Sequence, residues 1–127
     1  MQLEVIVNFS IKLNLGGGFM YEIAVQMQKL GLTKYKSKAL GYIIENPECT
    51  AREVSEGTGI PYTKVYSVLD GLEEMNFLNS GLGRPKRYVA SDPEYIVGFL
   101  TRREKDRYEE IKDSGEKALD IMKSKCD

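Results

Sequence analysis

The chain has 127 residues, of which 42% are hydrophobic and 29% charged. That is room for one soluble domain and little more. The net charge of −1 excludes a uniformly basic nucleic-acid tail, and the absence of histidine removes imidazole acid–base chemistry and most zinc sites. Cys49 and Cys126 lie far apart and form no CxxC pair, which argues against a disulfide framework and for a reducing cytoplasm. Apolar runs are too short for a membrane-spanning helix, and no charged n-region with an apolar core opens the chain. Charge is uneven along the sequence. Residues 33–91 carry seven acids and eight bases, and residues 92–127 ten acids and eight bases. Part of the middle segment's base is gathered at Arg84, Lys86 and Arg87.

Every odd position from Leu3 to Leu15 is apolar and only Ile6 breaks the polar even set, a strand-like period of two. Gly16, Gly17 and Gly18 end it. Met20, Ile23, Ala24, Met27 and Leu30 then follow a helical stripe that Gly31 stops. Thr33 reads as the N-cap of the next helix, which carries Tyr35, Ala39, Tyr42 and Ile43 and closes at Asn46-Pro47. Thr50 and Glu53 form a capping-box pattern opening a short helix through Val54, and Gly57-Thr58-Gly59 makes the turn. A further helix begins at Ile60-Pro61, with Pro61 at its first position and Val65, Leu69 and Leu72 as the buried stripe. Phe77-Leu78 and Arg87–Ala90 are strand candidates joined by a turn over 79–85. Ser91 or Asp92 caps a last helix, with Pro93 just inside it, running to Lys125. Its apolar seam is interrupted: Ile96, Phe99/Leu100, Ile111, Ala118/Leu119 and Met122, with Arg103 and Arg107 near the expected line.

Helices with a tight turn before the one at Pro61, followed by a β-hairpin, are the order of a winged helix-turn-helix. In such a unit the helix after the turn enters the major groove and the hairpin sets cations near phosphates. Tyr62, Thr63, Lys64, Tyr66 and Ser67 lie off the apolar stripe of that helix and suit base and phosphate contacts. Tyr66 has two options, since its ring can pack inward while its hydroxyl reaches a phosphate. Arg84, Lys86 and Arg87, stiffened by Pro85, suit a phosphate-contacting wing.

Four strings carry a family resemblance: Leu30-Gly-Leu-Thr-Lys-Tyr-Lys-Ser-Lys-Ala39, Thr50-Ala-Arg-Glu-Val-Ser55, Gly59-Ile-Pro-Tyr-Thr-Lys-Val-Tyr66 and Gly83-Arg-Pro-Lys-Arg-Tyr88. Over about Met20 to Pro93 the chain resembles the N-terminal domain of TrmB-type archaeal transcription regulators. The resemblance implies a winged-helix domain whose recognition helix and wing contact DNA, and dimerisation through a long helix after the wing. Sugar-responsive members carry a large C-terminal ligand domain. Only about 35 residues follow the wing here, so sugar sensing is not carried over and any small-molecule effector is left open.

The expected organisation is a mainly α (α+β) chain: a strand-like extension over 1–19, a winged helix-turn-helix over 20–91 and a dimerisation helix over 92–127. The extension has three readings: a strand pairing with its copy across a dimer axis, a leader upstream of Met20, or a cover for an apolar surface of the same subunit. Cys49 reads as a buried or half-buried thiol in preference to a redox sensor, and Cys126 as part of a frayed terminus. No nucleophile–base pair or phosphate loop is present, so no enzyme, metal or cofactor is expected. The expected function is sequence-specific binding of double-stranded DNA by a homodimeric, cytoplasmic transcription regulator. The alternative is a winged-helix module that docks on another protein.

Overall fold

The computed structural model describes residues 18–126, and the alternating segment at 3–15 lies outside them. The order of elements is α1 (Met20–Lys29), α2 (Lys34–Glu45), α3 (Ala51–Thr58), α4 (Tyr62–Glu74), β1 (Leu78–Ser80), β2 (Tyr88–Ala90) and α5 (Pro93–Cys126). The result is a winged helix: packed helices, a small antiparallel hairpin and a long C-terminal helix.

Local chemistry starts the helices where the sequence indicates. Thr33 Oγ1 accepts from the Lys36 N–H at 3.3 Å. At α3 the capping box is complete: Thr50 Oγ1 accepts from the Glu53 N–H at 3.2 Å, and Glu53 Oε1 accepts from the Thr50 N–H at 2.9 Å. Before α5, the Asp92 carbonyl accepts from the Ile96 N–H at 3.1 Å. Ser91 is used elsewhere, its hydroxyl donating to the Asn76 carbonyl at 2.6 Å.

Three boundaries differ from the expectation. First, α3 does not stop at Val54 but continues through Gly57 to Thr58. The ring of Tyr42 on α2 lies against Gly57, where a Cβ would sit 2.1 Å from Tyr42 Cε2. That glycine therefore answers a close helix–helix approach instead of a turn. The turn falls at Gly59, whose φ of 79° is left-handed. Second, Pro61 precedes α4 with φ −55° and ψ 136°, and its carbonyl accepts from the Lys64 and Val65 N–H groups at 2.8 and 3.1 Å. Third, α5 remains helical through Cys126.

Side chains close the α3–α4 turn. Ser55 Oγ donates to the Ile60 carbonyl and Thr58 Oγ1 to the Val54 carbonyl, both at 2.6 Å, while the Ile60 N–H donates to Thr58 Oγ1 at 3.2 Å. Beneath the turn, one core joins Leu40 and Ile43 of α2, Val54 of α3, Ile60, and Val65, Leu69 and Leu72 of α4. Phe77, Tyr88, Ile96 and Leu100 extend it under the wing and the start of α5.

Thr50 satisfies backbone donors at the start of α3, so Thr50→Ala should cost about 1 kcal/mol in thermal or denaturant unfolding. Hydrogen bonds from the Thr50 backbone, then from its hydroxyl, hold the Glu53 carboxyl below the usual carboxylate range. The folded value lies below the unfolded one. The cap therefore contributes fully above the unfolded value and is lost as pH falls through the folded one. The gap between wild type and Thr50→Ala should accordingly narrow in acid. A gap that stays constant from neutral to strongly acidic pH would contradict this.

The 34 residues of α5 span about 51 Å. Its buried residues, Ile96 and Leu100, lie in the first turns. From Lys105 to Cys126 every residue is exposed except half-buried Ala118. Among the described residues no helix is long and apolar enough to cross a membrane.

Candidate nucleic-acid interface

The 3.6-residue period divides α4 into two faces. Val65, Val68, Leu69 and Leu72 point into the core. Tyr62, Thr63, Lys64, Tyr66 and Ser67 are all exposed on the outside. The ring of Tyr66 does not pack inward. It meets Tyr62 one turn earlier, edge to face, with centroids 5.6 Å apart and the two hydroxyl oxygens 3.1 Å apart. That hydrogen bond is the main cause raising the Tyr66 pKa. Lys64 leans towards α2, with Nζ 5.9 Å from the centroid of Tyr35.

The wing pairs Leu78 with Ala90, Asn79 with Val89 and Ser80 with Tyr88. A further rung fixes it to the α2–α3 connection: the Tyr88 N–H donates to the Cys49 carbonyl at 2.9 Å, and the Glu48 N–H to the Tyr88 carbonyl at 3.0 Å. Arg84, Lys86 and Arg87 are all exposed, but they are not equivalent. Lys86 Nζ lies 3.4 Å from Glu73 Oε1 on α4, and Ser80 Oγ donates to the other oxygen of Glu73 at 2.9 Å. Arg87 Nη1 donates to the Glu48 carbonyl at 3.1 Å. Arg84 makes no ion pair among the described residues. Lys86 and Arg87 thus brace the wing against the body, while Arg84 is presented to solvent.

Helix and wing meet across a cleft of about 300 Å³ lined by Thr50, Ala51, Arg52, Tyr62, Tyr66, Pro85, Lys86 and Tyr88. The sequence reading missed Arg52. Its guanidinium lies 5.2 Å from the centroid of Tyr62, so it adds a cation to the face formed by α4 and the wing. The capping box was the available signal, since it places Arg52 in the first turn of α3, where the side chain is exposed while Ala51 is buried.

Two groups under this face are structural. Burial pushes the Cys49 thiol up to about 11, which suits a packed side chain and not a reactive thiolate. Burial also raises Tyr88 to about 12, with the carboxylates of Glu73 and Asp70 adding to the shift. Among the described residues no cluster of three His, Cys, Asp or Glu side chains could hold a metal ion.

Comparison with known proteins places this arrangement. The family model described as "Sugar-specific transcriptional regulator TrmB" matches residues 27–94, more than half of the chain. The HTH-type sugar sensing transcriptional regulator TrmBL1 of Pyrococcus furiosus is 36% identical over 76 residues. That match covers 60% of this chain and 22% of the relative, so the chain corresponds to under a quarter of TrmBL1's length. Among solved structures, that of TrmBL2, described as an archaeal chromatin protein with a novel mode of DNA binding, superposes with a TM-score of 0.65 at 19% identity. It covers 81% of this chain and 40% of TrmBL2. A MarR-family transcription regulator gives a TM-score of 0.51 at 14% identity, covering 90% of this chain and 77% of the regulator. At such identities these two structures speak for the fold alone. The matched stretch runs from the end of α1 through α4 and the wing to the first residues of α5, and on that stretch the chain belongs to the TrmB family of transcription regulators.

Proposed function

We propose that the chain binds double-stranded DNA in a sequence-specific manner as a homodimer, and regulates transcription by doing so. One observation carries this reading: Tyr62 and Tyr66 of α4, Arg52, and Pro85 and Lys86 of the wing line one open cleft that is polar, aromatic and cationic. In it, α4 lies in the major groove with Tyr62, Thr63, Lys64, Tyr66 and Ser67 towards base edges and phosphates. Arg84, Lys86 and Arg87 approach the flanking backbone, with Arg52 beside them. Residues 20–91 act as the DNA-binding unit, 92–127 as the dimerisation helix and 1–19 as an extension. The DNA binding named for TrmBL2 agrees with this reading. The sugar sensing named for TrmBL1 is not part of it.

Support for the dimer lies on α5, where Tyr108, Ile111, Leu119, Ile121 and Met122 are each more than half exposed. A helix of this length projects beyond its own domain, and a second copy is the simplest cover for such residues. Two copies related by a twofold axis require an approximately palindromic site with half-sites about one turn of DNA apart.

Salt titration on two DNAs tests the interface: a duplex selected from a random pool, and the pool itself. Phosphate contacts release counterions, so Arg84→Ala should flatten the slope of log K against log salt by about 0.9 and weaken both DNAs alike. Thr63→Ala and Ser67→Ala alter no charge and touch no core residue. For a base reader the loss should be about 1–3 kcal/mol on the selected duplex and little on the pool. Wing variants that keep full affinity and the same slope on both DNAs would remove the wing from the interface. The alternative, docking of this face on a protein, would then lead. It draws on the pairing of Lys86 with Glu73 and of Arg87 with the Glu48 carbonyl, which reduces the charge the wing presents.

A further inference from the structure

Leu82 occupies the tip of the wing and is fully exposed. Folding gives an apolar side chain in that position nothing, because none of its surface leaves water. Its neighbours are glycines that the fold does not require. A Cβ built on Gly81 would meet nothing within 4 Å, and one on Gly83 only the Pro85 carbonyl oxygen at 3.9 Å. Neither glycine has a positive φ. Packing among the described residues gives no reason for a tip pared to one apolar side chain on bare backbone.

The dimensions of DNA supply such a reason. The minor groove is about 6 Å wide, too narrow for two strands about 4.8 Å apart that carry side chains on both edges. A single leucine flanked by glycines is narrow enough to enter. The groove is walled by phosphates, and Arg84, two residues beyond Leu82, is exposed and makes no ion pair among the described residues. Pro85 and Lys86, which follow, line the same cleft as Tyr62 and Tyr66, so a duplex seated on α4 lies beside the wing.

We propose that Leu82 is a minor-groove wedge: its side chain inserts between adjacent base pairs while Arg84 neutralises the phosphates of the groove wall. The inference rests on the DNA-binding reading above and adds a deformation to it. Pyrimidine–purine steps, TA and CA/TG, unstack most easily, so the wedge confers a preference for such a step at a position where no base edge is read.

Permanganate, which oxidises unstacked thymines, tests this on a fragment of a few hundred base pairs of mixed sequence. DNase protection on the same fragment locates the bound protein. Wild type should produce hyperreactive thymines at TA steps within its protected regions. Leu82→Ala should still protect the fragment, with affinity reduced by less than about tenfold because lost burial and avoided unstacking offset each other. It should lose the hyperreactivity, and Leu82→Phe should restore it. Arg84→Ala should instead flatten the salt slope. Protection by wild type without hyperreactive thymines, or equal hyperreactivity in Leu82→Ala, would overturn the wedge and leave DNA binding standing. A wild-type protein that protects no DNA at low salt would overturn both.

Discussion

Glutamate introduced together at Ile111 and Met122 is expected to leave a folded monomer, with affinity for a palindromic duplex reduced by about 10²–10⁴-fold. The reason lies in spacing as well as exposure. Tyr108, Ile111, Gly115, Ala118 and Met122 recur at intervals of three, four, three and four, the 3.5-residue period of a paired-helix seam. Arg103 and Arg107, which interrupt the apolar pattern earlier in the helix, are engaged within their own subunit. Arg103 Nη2 donates to the Gly31 carbonyl at 3.3 Å, and Arg107 Nη1 lies 3.6 Å from Glu104 Oε1. The seam can therefore begin at Tyr108, beyond the part of α5 that packs on the domain. Each new carboxylate would be carried into an apolar seam, at a cost in desolvation that nothing opposite it offsets. Ile96 and Leu100 are untouched, so the winged unit should keep its unfolding transition. Light scattering at micromolar concentration checks the mass. An unchanged dimer would exclude this seam, and removal of residues 1–19 would then be the variant to examine.

Legibility in the sequence divided along a physical line. The caps at Thr33 and Thr50, the inward stripe of Val65, Leu69 and Leu72, and the five exposed residues on the other face of α4 follow from local hydrogen bonding and helical period. Both act within a few residues, so a single chain displays them. What the sequence hid was set by contacts distant along the chain. Gly57 reads as a turn residue, yet the ring of Tyr42 from another helix selects it. Lys86 and Arg87 read as equals of Arg84 until Glu73 and the Glu48 carbonyl, 13 and 39 residues away, engage them. Arg52 stood out in no motif, because the neighbours that give it a role, Tyr62, Pro85 and Lys86, lie ten or more residues away. Its position on Tyr62 is a product of tertiary structure, and no spacing rule encodes it.

Phe77 concentrates that tertiary dependence, and Phe77→Ala is expected to cost about 3–5 kcal/mol. The side chain is fully buried where the end of α4, the base of the wing and the first turns of α5 converge. Its ring packs edge to face on Phe99 at 5.4 Å and on Tyr95 at 6.1 Å between centroids. Its N–H donates to the Leu72 carbonyl at 2.9 Å, and its carbonyl accepts from the Ser91 N–H at 2.8 Å. The backbone is therefore held from both sides and cannot shift far to fill a void. A small domain has about 5–15 kcal/mol of stability in all. At about 4–8 °C per kcal/mol, the melting temperature should fall by at least about 12 °C. Phe77→Leu keeps most of the volume and should lose much less. Val89→Ala, on the exposed face of β2, should stay within about 0.5 kcal/mol. Urea unfolding of the three variants separates the cases. A Phe77→Ala loss below about 1 kcal/mol would mean that α5 and the wing are not joined through this ring. If the ring does join them, a partly destabilised Phe77→Leu should also bind DNA less tightly with an unchanged salt slope, because it loosens the wing without removing a phosphate contact.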